Sequence, residues 1–327
     1  MERRALGKTG IDVPALSFGA APLGDLFGEL DENDAIDAVH AAIDLGIDYF
    51  DTAPLYGFGL AETRLGKALR DRRDRVTLAT KCCRDGFTQF DFSGARVKAS
   101  IDESLQRLQT DRIDVFQIHD VEFGTTQQVL EEALPAARDL QQDGKVRFVG
   151  ISGLPVRYLR RLAEQTELDT LLSWAHCNLV EDELDEELVP LANERGIGLI
   201  NASPVLQGLL TDAGPQDWHR SPQPVLDIAQ PLAALCREAG TDVATVAIRD
   251  AVQRAPTTTI VGMKTRAEVE RNVTAAAAEI PDGLLARIAE LVAPVKNMMW
   301  FEGRPENNVP PADPNRHVPQ FPKTTHS

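Results

Sequence analysis

Four residues that can hold or exchange protons lie at or just after short apolar runs in this chain. Asp51 ends the run YFD, Lys81 ends VTLATK, His119 ends IDVFQIH, and Tyr56 follows Asp51 by five residues. Lysine is scarce, with eight copies against 26 of arginine, so a lysine that ends an apolar run is not a typical solvent-exposed surface residue. Each residue alone is also compatible with a structural role, as a solvated lysine, a core histidine or a capping aspartate.

Together, the four side chains form an acid/base device if the fold brings them to one place. A phenol titrates at about pH 10 and exchanges protons poorly near neutrality. An adjacent ammonium stabilises the phenolate and lowers the pKa of the phenol. A carboxylate beside the ammonium keeps it charged, and a neutral imidazole can orient a substrate oxygen from the other side. The sequence therefore predicts a proton-transfer site with Tyr56 as its acid or base and with an unusually acidic phenol.

The elements that must position these residues follow from the alternation of apolar and amphipathic stretches. Strands are predicted at Leu16–Phe18, Tyr49–Asp51, Val76–Lys81, Ile113–His119, Phe148–Ser152, Thr170–Trp174, Gly198–Ala202 and Thr258–Val261. Helices are predicted at Asp34–Leu45, Glu62–Arg70, Ala95–Leu108, Gln127–Gln142, Pro155–Thr166, Leu184–Arg195, an interrupted region over 224–254, and Ala267–Ala278. Eight strands, each followed by a helix, are typical of an α/β fold of the (β/α)₈ TIM-barrel type, in which the carboxyl ends of the strands build one active-site face.

A doubly wound sheet is the alternative fold. It usually carries a GxGxxG phosphate turn after its first strand, and here that strand leads into FGAAPLGDLFG, which lacks this spacing. The barrel is therefore favoured, with an N-terminal hairpin turning at Lys8–Gly10 that closes its bottom, and with extra helices and a C-terminal loop over the active-site face. We expect one domain over 1–327, with a core of about 3–300 and a Pro-rich tail over 303–327.

Composition excludes several classes of function. Fifty acidic residues against 34 basic ones give a formal charge of −16, which argues against nucleic acid and anionic membranes as partners. No apolar run is long enough to span a membrane and the first residues show no secretory signal, so a cytoplasmic location is expected. The cysteines at 82, 83, 177 and 236 show no CxxC or Cys/His spacing, so neither a disulfide framework nor a metal is expected.

The chain resembles the aldo-keto reductase family. The residues that carry the resemblance are GKTG at 7–10, FDTAPLYG at 50–57, ATK at 79–81, SIDESLQRL at 100–108, His119-Asp120, GKVR at 144–147, GIS at 150–152, Ser203-Pro204 and Glu268 to Asn272. The stretches CRDGFTQFDFS, HDVEFG, ISGLP, GLLTDAGPQDWH and PVKNMMW are similar to the branch of the family that oxidises aldoses such as L-galactose and L-fucose at C1. This resemblance implies oxidation of a sugar to its aldonolactone by hydride transfer to a nicotinamide, with Tyr56 as general base, Lys81 and Asp51 as its tuning pair, and His119 orienting the substrate.

The resemblance also implies a set of cofactor-binding positions. They are Ser152, Ser203, Leu206, Gly208, Gly262, Met263, Lys264, Thr265, Glu268 and Asn272. Gly262 and Glu268 align with the lysine and arginine that hold the 2′-phosphate in NADP-using members. A carboxylate there repels a phosphate and can accept a hydrogen bond from a ribose hydroxyl, which favours NAD. Lys264 and Arg266 lie nearby, so NADP stays possible. Two positions depart from the family: Gly153 replaces an asparagine, and Ala202 replaces the aromatic residue that stacks on the nicotinamide.

A sugar pocket needs aromatic faces and a few hydrogen-bonding groups. The loop residues that offer them are Leu55, Phe58, Phe123, Trp174, His176, Trp218 and Trp300. Ordinary packing explains each of these side chains equally well. Asp120, Glu122 and Asn297 are further hydroxyl-binding residues that the sequence does not rank.

Two other functions stay open at this point. One is a general NADPH-dependent aldehyde reductase, and the other is a non-catalytic cofactor-sensing subunit, which the intact set of four residues disfavours. An isomerase or hydrolase lacks support, because no paired acids or metal ligands end the strands. A small sugar is the expected partner, and the oligomeric state is open between a monomer and a weak dimer.

Overall fold

Eight parallel strands form a closed barrel in the computed structural model, which describes residues 1–26, 28–254 and 256–310. The described residues form ten strands, two in a separate hairpin and eight in the barrel: β1 Arg3–Ala5, β2 Asp12–Pro14, β3 Leu16–Gly19, β4 Tyr49–Asp51, β5 Thr77–Cys82, β6 Ile113–Ile118, β7 Val146–Gly153, β8 Thr170–Trp174, β9 Gly198–Ala202 and β10 Thr258–Gly262. Strands β3 to β10 follow one another in chain order around the barrel, and β10 pairs with β3 to close it. The predicted (β/α)₈ architecture is confirmed.

Helices cover the outside of the barrel, as in other parallel barrels whose strands are buried on both faces. They are α1 Glu32–Asp44, α2 Leu60–Leu69, α3 Gly94–Leu108, α4 Thr126–Gln128, α5 Leu134–Gln142, α6 Val156–Gln165, α7 Glu183–Glu187, α8 Val189–Arg195, α9 Gln223–Asp227, α10 Ala229–Glu238, α11 Val243–Gln253, α12 Arg266–Ala277 and α13 Leu284–Val292. A π-helical turn, Val129–Ala133, joins α4 to α5. None of the helices in the described part of the chain combines the length and the apolar character that a bilayer crossing requires.

Local sequence sets several helix ends. The Ser93 side chain accepts a hydrogen bond from the Arg96 N–H and begins α3, as a capping serine does. Gly46, Gly144 and Gly196 follow α1, α5 and α8 with positive φ, the conformation that ends a helix at low cost for glycine. The predicted helix ends at Gln142 and Arg195 are confirmed, and the predicted boundaries at Leu45 and Ala95 each differ from the structure by one residue.

The hairpin of β1 and β2 closes the bottom of the barrel, as predicted. Leu6 and Val13, on its inner side, are fully buried and pack against barrel-lining residues of β4, β5, β6, β8, β9 and β10. The Lys8 N–H donates to the Gly196 carbonyl at 2.9 Å, just before β9. With this end filled, a ligand can enter the barrel only from the carboxyl ends of its strands.

The predicted C-terminal tail falls only partly within the described residues. Its first part lies against the barrel: the Arg304 N–H donates to the Glu122 carbonyl at 2.9 Å, and Asn307 Nδ2 donates to the carbonyls of Glu122 and Gly124. Residues 311–327 of the predicted tail lie outside the described part of the chain. The described C-terminal segment is thus attached to the loop that follows β6.

Candidate active site

A buried ion pair between Lys81 and Asp51 lies at the carboxyl end of β4 and β5. Asp51 is paired in register with Ala79, two residues before Lys81, so both side chains point into the barrel. Lys81 is 2% exposed and donates to the Asp51 carboxylate and, at 2.8 Å, to the Thr52 carbonyl. Burial opposes the charge on Lys81, but Asp51 and Tyr56 outweigh it and raise the pKa of Lys81. The ammonium is therefore fixed and charged.

Tyr56 lies in the loop after β4, with its ring beside this ammonium. The Nζ atom of Lys81 is 5.2 Å from the centroid of the ring, and the residue keeps partial access to solvent. Burial raises the pKa of the Tyr56 phenol, and Lys81 lowers it without reversing the direction. The prediction of an unusually acidic phenol is therefore wrong for the protein alone, although the cation acts on the phenol in the predicted sense.

Backbone packing between two loops positions Tyr56. A Cβ atom on Gly24 would lie 2.5 Å from the Tyr56 carbonyl carbon, and one on Gly57 would lie 2.4 Å from the Gly24 oxygen. Only glycine allows this approach, and Gly57 also has a φ of +62°. Arg64 of α2 holds the Gly24 loop by donating to the Leu23 and Leu30 carbonyls at 2.6 and 2.7 Å.

His119 follows β6 and faces Tyr56. The two ring centroids are 6.1 Å apart and the rings are nearly perpendicular, at 89°. Burial lowers the pKa of His119 to about 3, with Asp120 opposing the shift. The imidazole is therefore neutral at physiological pH, as expected for a group that orients a substrate oxygen. Nδ1 of His119 has no hydrogen-bond partner within the described ranges.

Arg84 is a residue of this site that sequence reasoning missed. It pairs with the Asp120 carboxylate, which itself lies 3.5 Å from His119 Nε2. Its guanidinium lies 5.2 Å from the ring centroids of both Phe90 and Phe123, which stack on each other. The sequence feature that could have identified Arg84 is its position, three residues after Lys81 in the loop that follows β5.

The predicted cofactor residues come from two neighbouring loops, because β9 and β10 pair side by side. Ser203, Leu206 and Gly208 follow β9. Gly262 ends β10, and Met263, Lys264, Thr265, Glu268 and Asn272 lead into and along α12. Leu206 and Met263 are fully buried in the core, so neither residue exposes surface to a ligand. Around Gly208, which has a φ of +93°, a Cβ would meet no described atom within 4 Å, so its backbone is open to a ligand.

Ser152 fits a polar cofactor group, because its buried Oγ has no hydrogen-bond partner among the residues described. Ser152 lies at the end of β7, one residue before Gly153. A Cβ on Gly153 would lie 2.4 Å from Oε2 of Glu122, so the Glu122 carboxyl takes the space of the missing side chain. Glu122 is itself fully buried, and its Oε1 accepts the Leu154 N–H at 3.0 Å.

The charged residues at the start of α12 are already engaged with the protein. Glu268 Oε2 accepts the Lys264 N–H at 2.8 Å, and the Thr265 hydroxyl accepts the Glu268 N–H at 3.3 Å. Arg266 makes a two-pronged ion pair with Asp37 of α1, at 2.8 and 2.5 Å. The arginine nearest the start of this helix is thus held by a carboxylate of the protein.

The predicted substrate residues fall into separate groups. Trp174 and Trp300 contact each other with ring centroids 5.8 Å apart, and His219 lies 5.9 Å from Trp300. Phe58 and Trp218 are exposed, at 69% and 53%. The remaining predicted residues are less accessible: Leu55 and His176 are buried, and Phe123 is partly buried against Phe90.

Residues 15–293 match the aldo/keto reductase family. The chain belongs to this family. The (β/α)₈ fold and the resemblance seen in the sequence are thereby confirmed, and the protein is an oxidoreductase that acts on CH–OH groups with a nicotinamide cofactor.

Among relatives, the chain is 39% identical over 320 residues to an L-galactose dehydrogenase of Arabidopsis thaliana, which covers 94% of this chain and 99% of that protein. It is 32% identical over 316 residues to a D-threo-aldose 1-dehydrogenase of a Pseudomonas species, with 88% and 96% covered. Among solved structures, an aldo-keto reductase of Bacillus halodurans in its holo form has a TM-score of 0.74 at 26% identity, with 94% and 100% covered.

Proposed function

We propose that this aldo/keto reductase oxidises an aldose at C1 to the aldonolactone, with NAD as the hydride acceptor and Tyr56 as general base. The sugar is L-galactose, L-fucose or one of similar configuration. One observation carries the proposal: Tyr56, Lys81, Asp51 and His119 meet at one mouth of the barrel. The similarity to two aldose-oxidising relatives supports the choice of a sugar.

The proposed chemistry assigns one task to each side chain. The Tyr56 phenolate takes the proton of the C1 hydroxyl, and Lys81 lowers the pKa of the phenol against the effect of burial. Asp51 and the Thr52 carbonyl hold Lys81 in place. Neutral His119 hydrogen-bonds the same substrate oxygen and fixes its orientation. A bound nicotinamide would supply the acceptor for the C1 hydride. This hydride and the hydroxyl proton taken by Tyr56 are the two hydrogens that leave when the carbonyl of the lactone forms.

Ser152 and the loop after β9 would hold the nicotinamide half of the dinucleotide. The unpartnered Ser152 Oγ is suited to the carboxamide, and the open backbone at Gly208 is suited to the pyrophosphate. Trp174 and Trp300 would form the apolar wall of the sugar pocket, since their rings are in contact and Trp174 ends β8.

An NADH-formation screen tests the activity. Purified protein is assayed with each L- and D-aldohexose and 6-deoxyhexose, and the product is identified as a lactone by NMR. We expect the highest kcat/KM for L-galactose, L-fucose or a sugar of similar configuration. Faster reduction of p-nitrobenzaldehyde with NADPH than oxidation of any sugar would instead select the aldehyde-reductase function.

Cofactor preference is tested at Glu268. The proposal of NAD rests on the carboxylate at this position and on the engagement of Arg266 by Asp37. We expect kcat/KM to be higher with NAD than with NADP, and Glu268→Gln to raise kcat/KM for NADP several-fold by removing the repulsion of the 2′-phosphate. Glu270→Gln, an exposed change on the same helix, is the matched control. Equal or better turnover of the wild type with NADP contradicts the proposal.

A further inference from the structure

Three ligand-type side chains meet just beyond β8, outside the set of four catalytic residues. They are His176, Glu181 and Glu183, with one ligand atom of each lying within 4.8 Å of the others. His176 Nδ1 is 3.4 Å from a Glu183 oxygen and 3.9 Å from a Glu181 oxygen. All three residues are buried, at 4%, 0% and 7% exposure in chain order. The cluster is therefore shielded from solvent rather than a solvated acidic patch.

Glu181 is a buried carboxyl group without a hydrogen-bond partner among the described residues. Neither of its carboxylate oxygens forms a hydrogen bond with any residue in the described ranges, and the same holds for His176 Nδ1. A fully buried carboxylate without a partner is strongly disfavoured, so such a group is either protonated or neutralised by a bound cation. Burial raises the pKa of Glu181 well above its usual value, and the neighbouring Glu183 raises it further.

Glu183 is held in an orientation suited to a ligand. Arg157 of α6 pairs with one of its oxygens and leaves the other facing His176. Although burial opposes it, His176 and Arg157 lower the pKa of Glu183 to about 2, so this carboxyl is charged. Metal-binding carboxylates are commonly oriented by such a second hydrogen bond.

A small pocket adjoins the cluster. It has a volume of about 40 Å³ and is lined by His176 and Glu183, by Arg157, and by the C-terminal residues Met299, Trp300 and Asn308. A volume of this size holds a few water molecules, so two of the three ligand-type residues lie beside a space that water can occupy.

We propose that His176, Glu181 and Glu183 bind one divalent transition-metal ion. One imidazole nitrogen and two carboxylate oxygens are a ligand set suited to Zn²⁺ or Mn²⁺. Ligand atoms about 2.1 Å from a tetrahedral zinc ion lie about 3.4 Å apart. His176 Nδ1 is 3.4 Å from Glu183 and 3.9 Å from Glu181, so Glu181 has to move closer to bind the same ion. The search of the sequence for Cys/His spacing did not find this site, because two of its three proposed ligands are carboxylates. The ion would join the loop after β8 to the start of α7.

Isothermal titration calorimetry of the whole protein tests the site. Protein freed of metal by a chelator is titrated with ZnCl₂ and, separately, with MnCl₂. We expect one ion per chain with at least one of the two salts, and Glu181→Gln should weaken binding by about tenfold or more. Glu194→Gln, the same charge change on the exposed surface of α8, should leave the affinity unchanged. Circular dichroism checks that both variants are folded.

Two outcomes of these titrations overturn the proposal: binding of neither metal ion, or equal binding by the wild type and Glu181→Gln. In either case His176, Glu181 and Glu183 are a buried cluster that holds no metal.

Discussion

Tyr56 carries the proton transfer in the proposed reaction, so its hydroxyl is the group to remove first. Tyr56→Phe should lower kcat by about 10²–10⁴, the usual contribution of general acid–base catalysis. The Kd for NAD should change little, because the ring and the loop packing are kept. Tyr158→Phe removes a phenol from α6, where it hydrogen-bonds Thr126 at 3.2 Å, and serves as the control. The measurement is steady-state kinetics. If Tyr56→Phe has a normal kcat, Tyr56 is not the general base.

Lys81 should set the pH dependence of that step. Lys81 lowers the pKa of Tyr56 while burial raises it, so removing the cation leaves only the raising effect. In Lys81→Met, the alkaline rise of kcat for sugar oxidation should therefore move to higher pH. Lys67→Met, which breaks a surface pair with Glu32, should keep the wild-type profile. A profile for Lys81→Met that matches the wild type, or moves to lower pH, contradicts this role.

The meeting of Asp51, Lys81 and His119 with Tyr56 could be predicted from sequence, because each lies at or just after a strand end, where a barrel exposes side chains to its ligand. The direction of the pKa shift of Tyr56 could not be predicted from sequence, since it depends on how completely the surrounding protein removes water from the phenol. Arg84 was missed because its role is a contact with Asp120, and a pair 36 residues apart in the chain leaves no local pattern.

At the scale of elements, two loops must fit together for Tyr56 to keep its place. Gly24→Ala places a Cβ 2.5 Å from the Tyr56 carbonyl carbon, so one loop must move. We expect kcat to fall by about tenfold or more, because small displacements of a reacting group are costly. Gly94→Ala adds a Cβ at the start of α3 with its nearest neighbour at 3.4 Å, and should be close to neutral. Kinetics of both variants, with circular dichroism to verify folding, test this packing.

Strands were easier to predict than helices. The apolar runs of β4, β8 and β9 have the predicted bounds, because strands buried on both faces read as short continuous apolar segments. The interrupted region at 224–254 contains three helices, α9 to α11. Helix α13 was not predicted, although its buried residues Leu284, Ile288 and Val292 recur at helical spacing. Its role in covering the barrel depends on packing against α10, which the local sequence does not encode.

At the scale of the whole molecule, burial of His119 links stability to pH. Its pKa is about 3 when folded, against an ordinary value of 6.5, so the unfolded chain takes up this proton first as the pH falls. The contribution of His119 to the free energy of unfolding is present above pH 6.5 and is lost progressively below it, by about 2 kcal/mol at pH 5.

His119→Gln should therefore reduce the loss of unfolding free energy between pH 8 and pH 5 by about 2 kcal/mol, as measured by urea denaturation. His40→Gln, on the outer helix α1, should retain the full wild-type loss. If His119→Gln loses as much unfolding free energy between pH 8 and pH 5 as the wild type does, the fold does not keep this imidazole neutral.

The contact between Gly153 and Glu122 has a consequence for protein engineering. The Glu122 carboxyl occupies the volume that a longer side chain at position 153 would need, and its backbone carbonyl also anchors the C-terminal segment through Arg304 and Asn307. Grafting the asparagine of other family members onto position 153 alone would therefore collide with the Glu122 carboxyl, which accepts the Leu154 N–H. A redesign of the proposed nicotinamide pocket has to exchange both positions together, with a smaller residue at 122 as the partner substitution.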